Sequence, residues 1–177
     1  MGIGDMVIFL PFIEAIAKKF TTPVSILVKE NSKAIQFLKS NPHIDQIIIL
    51  NRGNKINNGS HDGIIGSYNL VKDLKKYNFD KIFIFNSSLR FNLIARAASI
   101  KDIYQYPLFK KKNQHIINAA KKFIKKKLNL EVTSDPKILI NDQLVKDAKS
   151  KYKIDDNEIN ILLGIGGSGP TKRVPAK

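Results

Sequence analysis

The sequence predicts an α/β fold, a parallel sheet with helices packed on both faces, and three observations lead there. Short apolar runs recur along the chain: PVSILV at 23–28, QIIIL at 46–50, KIFIF at 81–85 and NILL at 160–163. Longer segments with apolar residues at helical spacing lie between them. Glycine-rich turns stand near both ends, Gly2-Ile3-Gly4-Asp5 entering the first helix and GIGGSG at 164–169 leaving the last strand. Strand–helix alternation of this kind builds parallel sheets covered by helices, the Rossmann-like arrangement.

The first element is a helix in GIGDMVIFLPFIEAIAKKF, entered through a tight glycine turn. Backbone N–H groups and the helix dipole favour anions at such a turn. In alternating α/β folds a buried strand precedes the turn, and ligands gather at its carboxyl end. Nothing stands ahead of Met1 to make that strand, so the fold is expected to lack it. PVSILV then reads as a short buried strand, and Ser32 to Lys39 as a helix with Ser32 at its N-cap. Asn41-Pro42 stops that helix, and the β-branched run Gln46 to Leu50 reads as a strand buried on both faces.

Residues 51–66, polar and glycine-rich, form a long loop, and loops of that length inside a compact domain are usually functional or mobile. Ser67 to Lys76 is a predicted helix, Lys81 to Phe85 a strand, Leu89 to Ala98 a helix, and Asp102 to Tyr104 a short strand. From Gln114 to Leu128 the residues Ile116, Ile117, Ala120, Phe123, Ile124 and Leu128 mark one face of an amphipathic helix, with lysines on the other. A helix at Asp142 to Lys151 and a strand at Asn160 to Leu163 complete the pattern. The expected organisation is a domain over 1–135, a connection over 136–158, and the first strand and loop of a second domain over 159–177.

Composition narrows the function. With 43% hydrophobic residues in 177, the chain can bury one ordinary core. Zero cysteines exclude disulfides, thiolate zinc sites and thiol nucleophiles, and fit a cytoplasmic setting. The formal charge of +15 points to an anionic partner. Only Arg52, Arg90, Arg96 and Arg173 of the 30 basic residues are arginine, however, and lysine, isoleucine and asparagine share A/T-rich codons. With no Trp and no interleaving of basic and aromatic residues, specific nucleic-acid recognition is not expected. The lysines at 110–112, 121–122 and 125–127 are a solvated helix face or a surface for anionic lipid.

Recognised motifs are mostly near misses. GIGGSG formally matches G-x-G-x-x-G after a strand, but Pro170 follows at once and the chain ends at Lys177, before the expected acidic residue. Pro170 also stands where a P-loop requires lysine. What remains is a loop carrying Ser168, Thr171 and Lys172, two hydroxyls and an ammonium suited to phosphate oxygens, or else a plain glycine turn beside a surface lysine. Asp5 by itself reads as the N-cap of the first helix. His43, His61 and His115 show no metal-ligand spacing and read as surface or packing residues.

Taken together, four blocks in order resemble the bacterial ADP-heptose:lipopolysaccharide heptosyltransferase family, glycosyltransferase family nine. They are GIGDMVIFLPFIEAIAKKF, NPHIDQIIIL, FDKIFIFNSSLRFNLIARAASIKDIYQY and GIGGSGPTKRVPAK. Val174 departs from the family pattern, where tryptophan is usual, as does Gly164, where proline or histidine often stands. The resemblance implies the N-terminal, acceptor-side half of a GT-B glycosyltransferase, followed by the opening of its donor-binding domain. It implies inverting transfer of a sugar, heptose in that family, from a nucleotide-diphosphate donor to an anionic lipopolysaccharide-core acceptor, without metal or cofactor, at the cytoplasmic face of the inner membrane.

In that reading Asp5 is the catalytic base. Gly2, Gly4, Ser168, Thr171 and Lys172 meet substrate phosphates, and Arg90 and Arg96 orient the acceptor. The chain then reads as a fragment that is inactive alone. The rival is a basic Rossmann-like module that binds nucleic acid or an anionic membrane without catalysis. A different nucleotide-linked enzyme, such as a dehydrogenase, is disfavoured by the failed dinucleotide fingerprint.

Overall fold

The computed structural model describes residues 2–53, 58–107, 115–133 and 135–161. The chain divides into two units, Met1–Leu139 and Ile140–Lys177. In the first unit the elements run α1 (Ile3–Phe20), β1 (Val24–Val28), α2 (Ala34–Leu38), β2 (Ile44–Ile49), α3 (Gly63–Lys75), β3 (Lys81–Ile84), α4 (Leu89–Ala97), β4 (Asp102–Gln105) and α5 (Ile116–Leu128). The second unit contributes α6 (Asp142–Tyr152), capped at its start by the Asn141 side chain, which accepts the Gln143 N–H. Among the described residues no helix is long and apolar enough to cross a membrane.

All strand pairing is parallel, β1 with β2 and β3 with β4. Side chains alternate along each strand, as a period of two requires. Ile26 and Val28 of β1, Phe83 and Phe85 at β3, and Tyr104 and Tyr106 at β4 join one apolar cluster. Leu27, Ile82, Ile84 and Ile103 join the other. The first cluster is roofed by α1, α2 and α5 through Phe9, Phe12, Leu38, Phe123 and Ile124, and the second by α3 and α4 through Leu70, Leu74, Ile94 and Ala95. Helices thus cover both faces, and both roofs reach over both strand pairs. A register shift between Val24 and Ile26 moves β1's partner from Ile44 to Ile47, so both isoleucines pack in the α1-side cluster.

The expected α/β architecture is what forms. Details differ for physical reasons. The 32–39 segment is a 3₁₀ turn, Glu30–Ser32, followed by α2. Ser32 spends its hydroxyl on the Lys29 carbonyl at 2.6 Å, and the N-cap position passes to Lys33 at φ 54°. In β2, Asp45 and Gln46 are exposed, and among the described residues β2 has β1 on one side only. The loop after β2 is shorter than expected, since α3 begins at Gly63, whose φ of +63° suits glycine. Of the strand expected at 160–163, Asn160 and Ile161 are not in strand and the other two positions lie outside the described residues.

Candidate functional site

Elements that follow the strands place the polar side chains of interest along one edge. The chain turns from α1 into β1 within three residues, so α1 runs back along β1 and its amino end lies toward the strands' carboxyl ends. The packing of α1 against the turn after β1 agrees with this. That edge carries Gly2, Gly4 and Asp5, the loop after β2, the β3–α4 turn and the end of β4.

At α1's amino end, Gly2 is the N-cap and Asp5 stands three residues on, so Asp5 is not itself the cap. Its carboxylate instead reaches back to accept the Gly2 N–H at 2.9 Å, the return half of a capping box. The helical ladder begins with the Met6 N–H donating to the Gly2 carbonyl at 3.1 Å. The N–H groups of Ile3 and Gly4 precede it, as first-turn donors that a helix leaves outside its own ladder. A Cβ built on Gly2 or on Gly4 meets nothing within 4 Å, so packing in this structure demands neither glycine. What they preserve is a bare helix end.

The described residues of the loop after β2, on either side of positions 54–57, form a clasp. Asn51 and His61 pair reciprocally: the His61 N–H donates to the Asn51 carbonyl at 2.9 Å, and the Asn51 N–H donates to His61 Nδ1 at 3.0 Å. Because Nδ1 accepts, the proton of a neutral ring sits on Nε2, which faces Asp73 Oδ2 at 3.1 Å. Asp62 closes the loop from inside, accepting the Arg52 side chain at 2.8 Å and the N–H groups of Gly53 and Gly59 at 2.6 and 2.8 Å. These donors, Arg52 first, hold the Asp62 carboxyl well below the usual carboxylate range. Asp73 is lowered too, chiefly by Lys76 and then by His61. His61, Asp73, Lys76, Ser60, Asn69 and Lys72 line a shallow surface depression beside the clasp.

Arg90, in the first turn of α4, ties this loop to the next one. It donates to the His61 carbonyl at 2.5 Å and to Ser67 Oγ at 2.9 Å. At the end of β4, Gln105 donates to the carbonyls of Asn86 and Ser88, both at 2.9 Å, and accepts from Asn92, fixing the β3–α4 turn. Arg96 lies elsewhere. It is six residues further along α4, about 9 Å toward the strands' amino ends, and donates to Asn92 Oδ1 at 2.8 Å.

Topology therefore puts Gly2, Gly4, Asp5 and Arg90 on the carboxyl edge and leaves Arg96 off it. Ser168, Thr171 and Lys172 lie outside the described residues. His61 and Asp62 were missed as organisers of this edge. The signal that could have found them is the Asp62-Gly63 step at the end of a glycine-rich loop. Among the described residues no group of three or more His, Asp or Glu side chains is placed to hold a metal ion.

An α/β layer with parallel strands, helices on both faces and polar loops at one edge is a Rossmann-like fold. A crystal structure of a glycosyl transferase family 9 protein from Veillonella parvula DSM 2008 superposes on 99% of this chain with a TM-score of 0.70 and 20% identity. The chain covers 53% of that protein, about half its length. No protein-family model and no curated protein sequence matches the chain.

Proposed function

We propose that this chain is the acceptor-side half of an inverting glycosyltransferase, in which Asp5 is the catalytic base. The observation that carries the reading is the superposition of nearly the whole chain on half of a family 9 glycosyl transferase. An acidic side chain held at the carboxyl edge, where open α/β sheets bind ligands, supports it. In the proposed step an acceptor hydroxyl oxygen attacks the anomeric carbon of a nucleotide-diphosphate sugar and its proton passes to the Asp5 carboxylate. The bond from that carbon to the diphosphate oxygen breaks, and the electron pair leaves with the diphosphate. A carboxylate is a weak base, so proton transfer accompanies bond formation.

The bare end of α1 at Gly2 and Gly4 suits close approach of an anionic substrate group, and Arg90 fixes the loop that borders it. Ser168, Thr171 and Lys172 are assigned to the departing diphosphate, whose growing charge they would stabilise. The sugar is assigned as heptose and the acceptor as a lipopolysaccharide core from the sequence resemblance. Exposed lysines on α5, at 121, 122 and 125–127, back a buried stripe of Ala120, Phe123 and Ile124 and are assigned to an anionic membrane surface. Arg96 keeps an acceptor role only if the acceptor extends along α4.

The test is Asp5→Asn in a chain carrying both halves of the fold. Transfer should fall at least about 100-fold while binding of the nucleotide-sugar donor is retained. Full activity in that variant would remove Asp5 from the chemistry. The 177-residue chain alone should show no turnover with ADP-heptose, since the donor half carries the complementary contacts.

A further inference from the structure

Among the described residues only one ionisable side chain is buried. It is His61, 5% exposed, and the proposed transfer step makes no use of it. Both ring nitrogens are engaged, and their partners fix where the proton lies. The Asn51 backbone N–H can only donate, so Nδ1, 3.0 Å away, is bare and accepts. Nε2 then carries the hydrogen and points it at Asp73 Oδ2, 3.1 Å away. The backbone of the same residue completes the junction, its N–H donating to the Asn51 carbonyl at 2.9 Å and its carbonyl accepting from Arg90 at 2.5 Å. One residue thus joins the end of β2 to α3 and α4.

A second proton on this ring has one place to go, and that place faces a donor. Added at Nδ1, it sets an N–H against the Asn51 N–H with no acceptor between them. The same proton turns the Nε2 contact into an ion pair with Asp73. The Asp73 carboxyl is lowered, chiefly by Lys76 and then by His61, and so stays ionised in mild acid. Protonation therefore costs the ring one partner and strengthens the other. The remaining charges around it are mostly cationic. On α3, Lys76 holds Asp73 Oδ1 at 2.7 Å and Lys72 lines the same depression, and on α4 Arg90 sits at the His61 carbonyl. In the loop, Arg52 and Asp62 pair with each other at 2.8 Å. Asp73 is the group that favours the charged ring.

We propose that His61 is an acid-sensitive latch between the end of β2 and α3, which on taking a proton at Nδ1 releases the Asn51 N–H and turns onto Asp73. The depression lined by Ser60, Asn69, Lys72 and Lys76 gives the ring room to turn. The Gly53 and Gly59 N–H groups stay held, because they end on Asp62, whose carboxyl lies well below the usual carboxylate range. Acid thus releases the described arms of the loop in two separate steps, at His61 first and at Asp62 only in strong acid. A histidine whose neutral form alone accepts a backbone N–H is the device that makes the first step reversible.

Amide exchange on the 177-residue chain from pH 8 to pH 5, taken as protection relative to an unstructured peptide at each pH, tests this beside proton NMR of the His61 ring. Protection of the Asn51 amide should fall on the order of tenfold, with the same midpoint as the ring, while Gly53, Gly59 and Leu70 keep theirs. His61→Asn offers an oxygen that accepts from Asn51 and takes no proton, so its Asn51 protection should be flat across the range. Asp73→Asn keeps an acceptor for Nε2 but removes the favouring charge, and should move both midpoints to lower pH. A ring that titrates while Asn51 stays protected would overturn the proposal, as would a ring that stays neutral down to pH 5. A pH-dependent loss that survives in His61→Asn would overturn it too. So would loss at Leu70 together with Asn51, which is general unfolding rather than release of a latch.

Discussion

Replacing His61 by alanine tests the clasp that shapes the carboxyl edge. His61 is 5% exposed, and truncation removes the acceptor of the Asn51 N–H and the donor to Asp73 Oδ2. An orphaned buried donor costs about 1–3 kcal/mol, and because the Asn51 bond is only partly buried the lower half of that range applies. Loss of the packed ring adds about 1 kcal/mol, while Asp73 keeps Lys76 and loses little. The sum is about 2–3 kcal/mol. With a urea slope of about 2 kcal/mol per molar, the midpoint should fall by about 1–1.5 M, read by circular dichroism and tyrosine fluorescence.

The variant His61→Asn separates the two bonds. Its Oδ1 stands about where Nδ1 stood, so it should recover about half the loss by accepting from Asn51 again. A change below about 0.5 kcal/mol in the alanine variant, or no difference between the two variants, would refute the assignment of the clasp to His61.

Three further outcomes are expected. Gly66→Ala should destabilise the chain by about 1–2 kcal/mol despite alanine's higher helix propensity, because a Cβ there would stand 2.2 Å from the His61 carbonyl carbon; a raised thermal midpoint would contradict this. The Asp62 carboxyl is depressed in the folded chain, so its contribution is present above the ordinary carboxylate pKa of about 4 and is lost as pH falls below it toward the folded value. Amide exchange at Gly53 and Gly59 should therefore keep its protection at pH 5 and lose it in strong acid, whereas in Asp62→Asn it should be weakened already at pH 5. Tyr106→Phe should be neutral or stabilising by up to about 1 kcal/mol, because its hydroxyl is buried with no hydrogen-bond partner among the described residues. Burial pushes the Tyr106 phenol up to about 12, so the wild-type chain should lose more stability than the Tyr106→Phe variant as pH rises from about 10 toward that value.

Much of the fold was legible because strand and helix periods are local properties. The runs at 23–28 and 81–85 became β1 and β3, and the spacing of Ala120, Phe123 and Ile124 became the buried stripe of α5. The β2 run misled, since a β-branched sequence reports strand propensity but not whether the strand has one neighbour or two. Asp5 was legible as a group that takes a backbone N–H, though it does so from the third helical position rather than from the cap.

The amino-acid sequence by itself determined the alternation of strands and helices, and placed glycines and an acid at a helix start, because these depend on residues a few positions apart. Only the tertiary structure decided which side chains share an edge. It joined His61 to Asn51 across ten residues and Arg90 to the His61 carbonyl across 29, and left Arg96 facing elsewhere. It also divided the strands into two pairs beneath shared helical roofs. Contacts of that kind depend on the path of the whole chain, and local spacing carries no record of them.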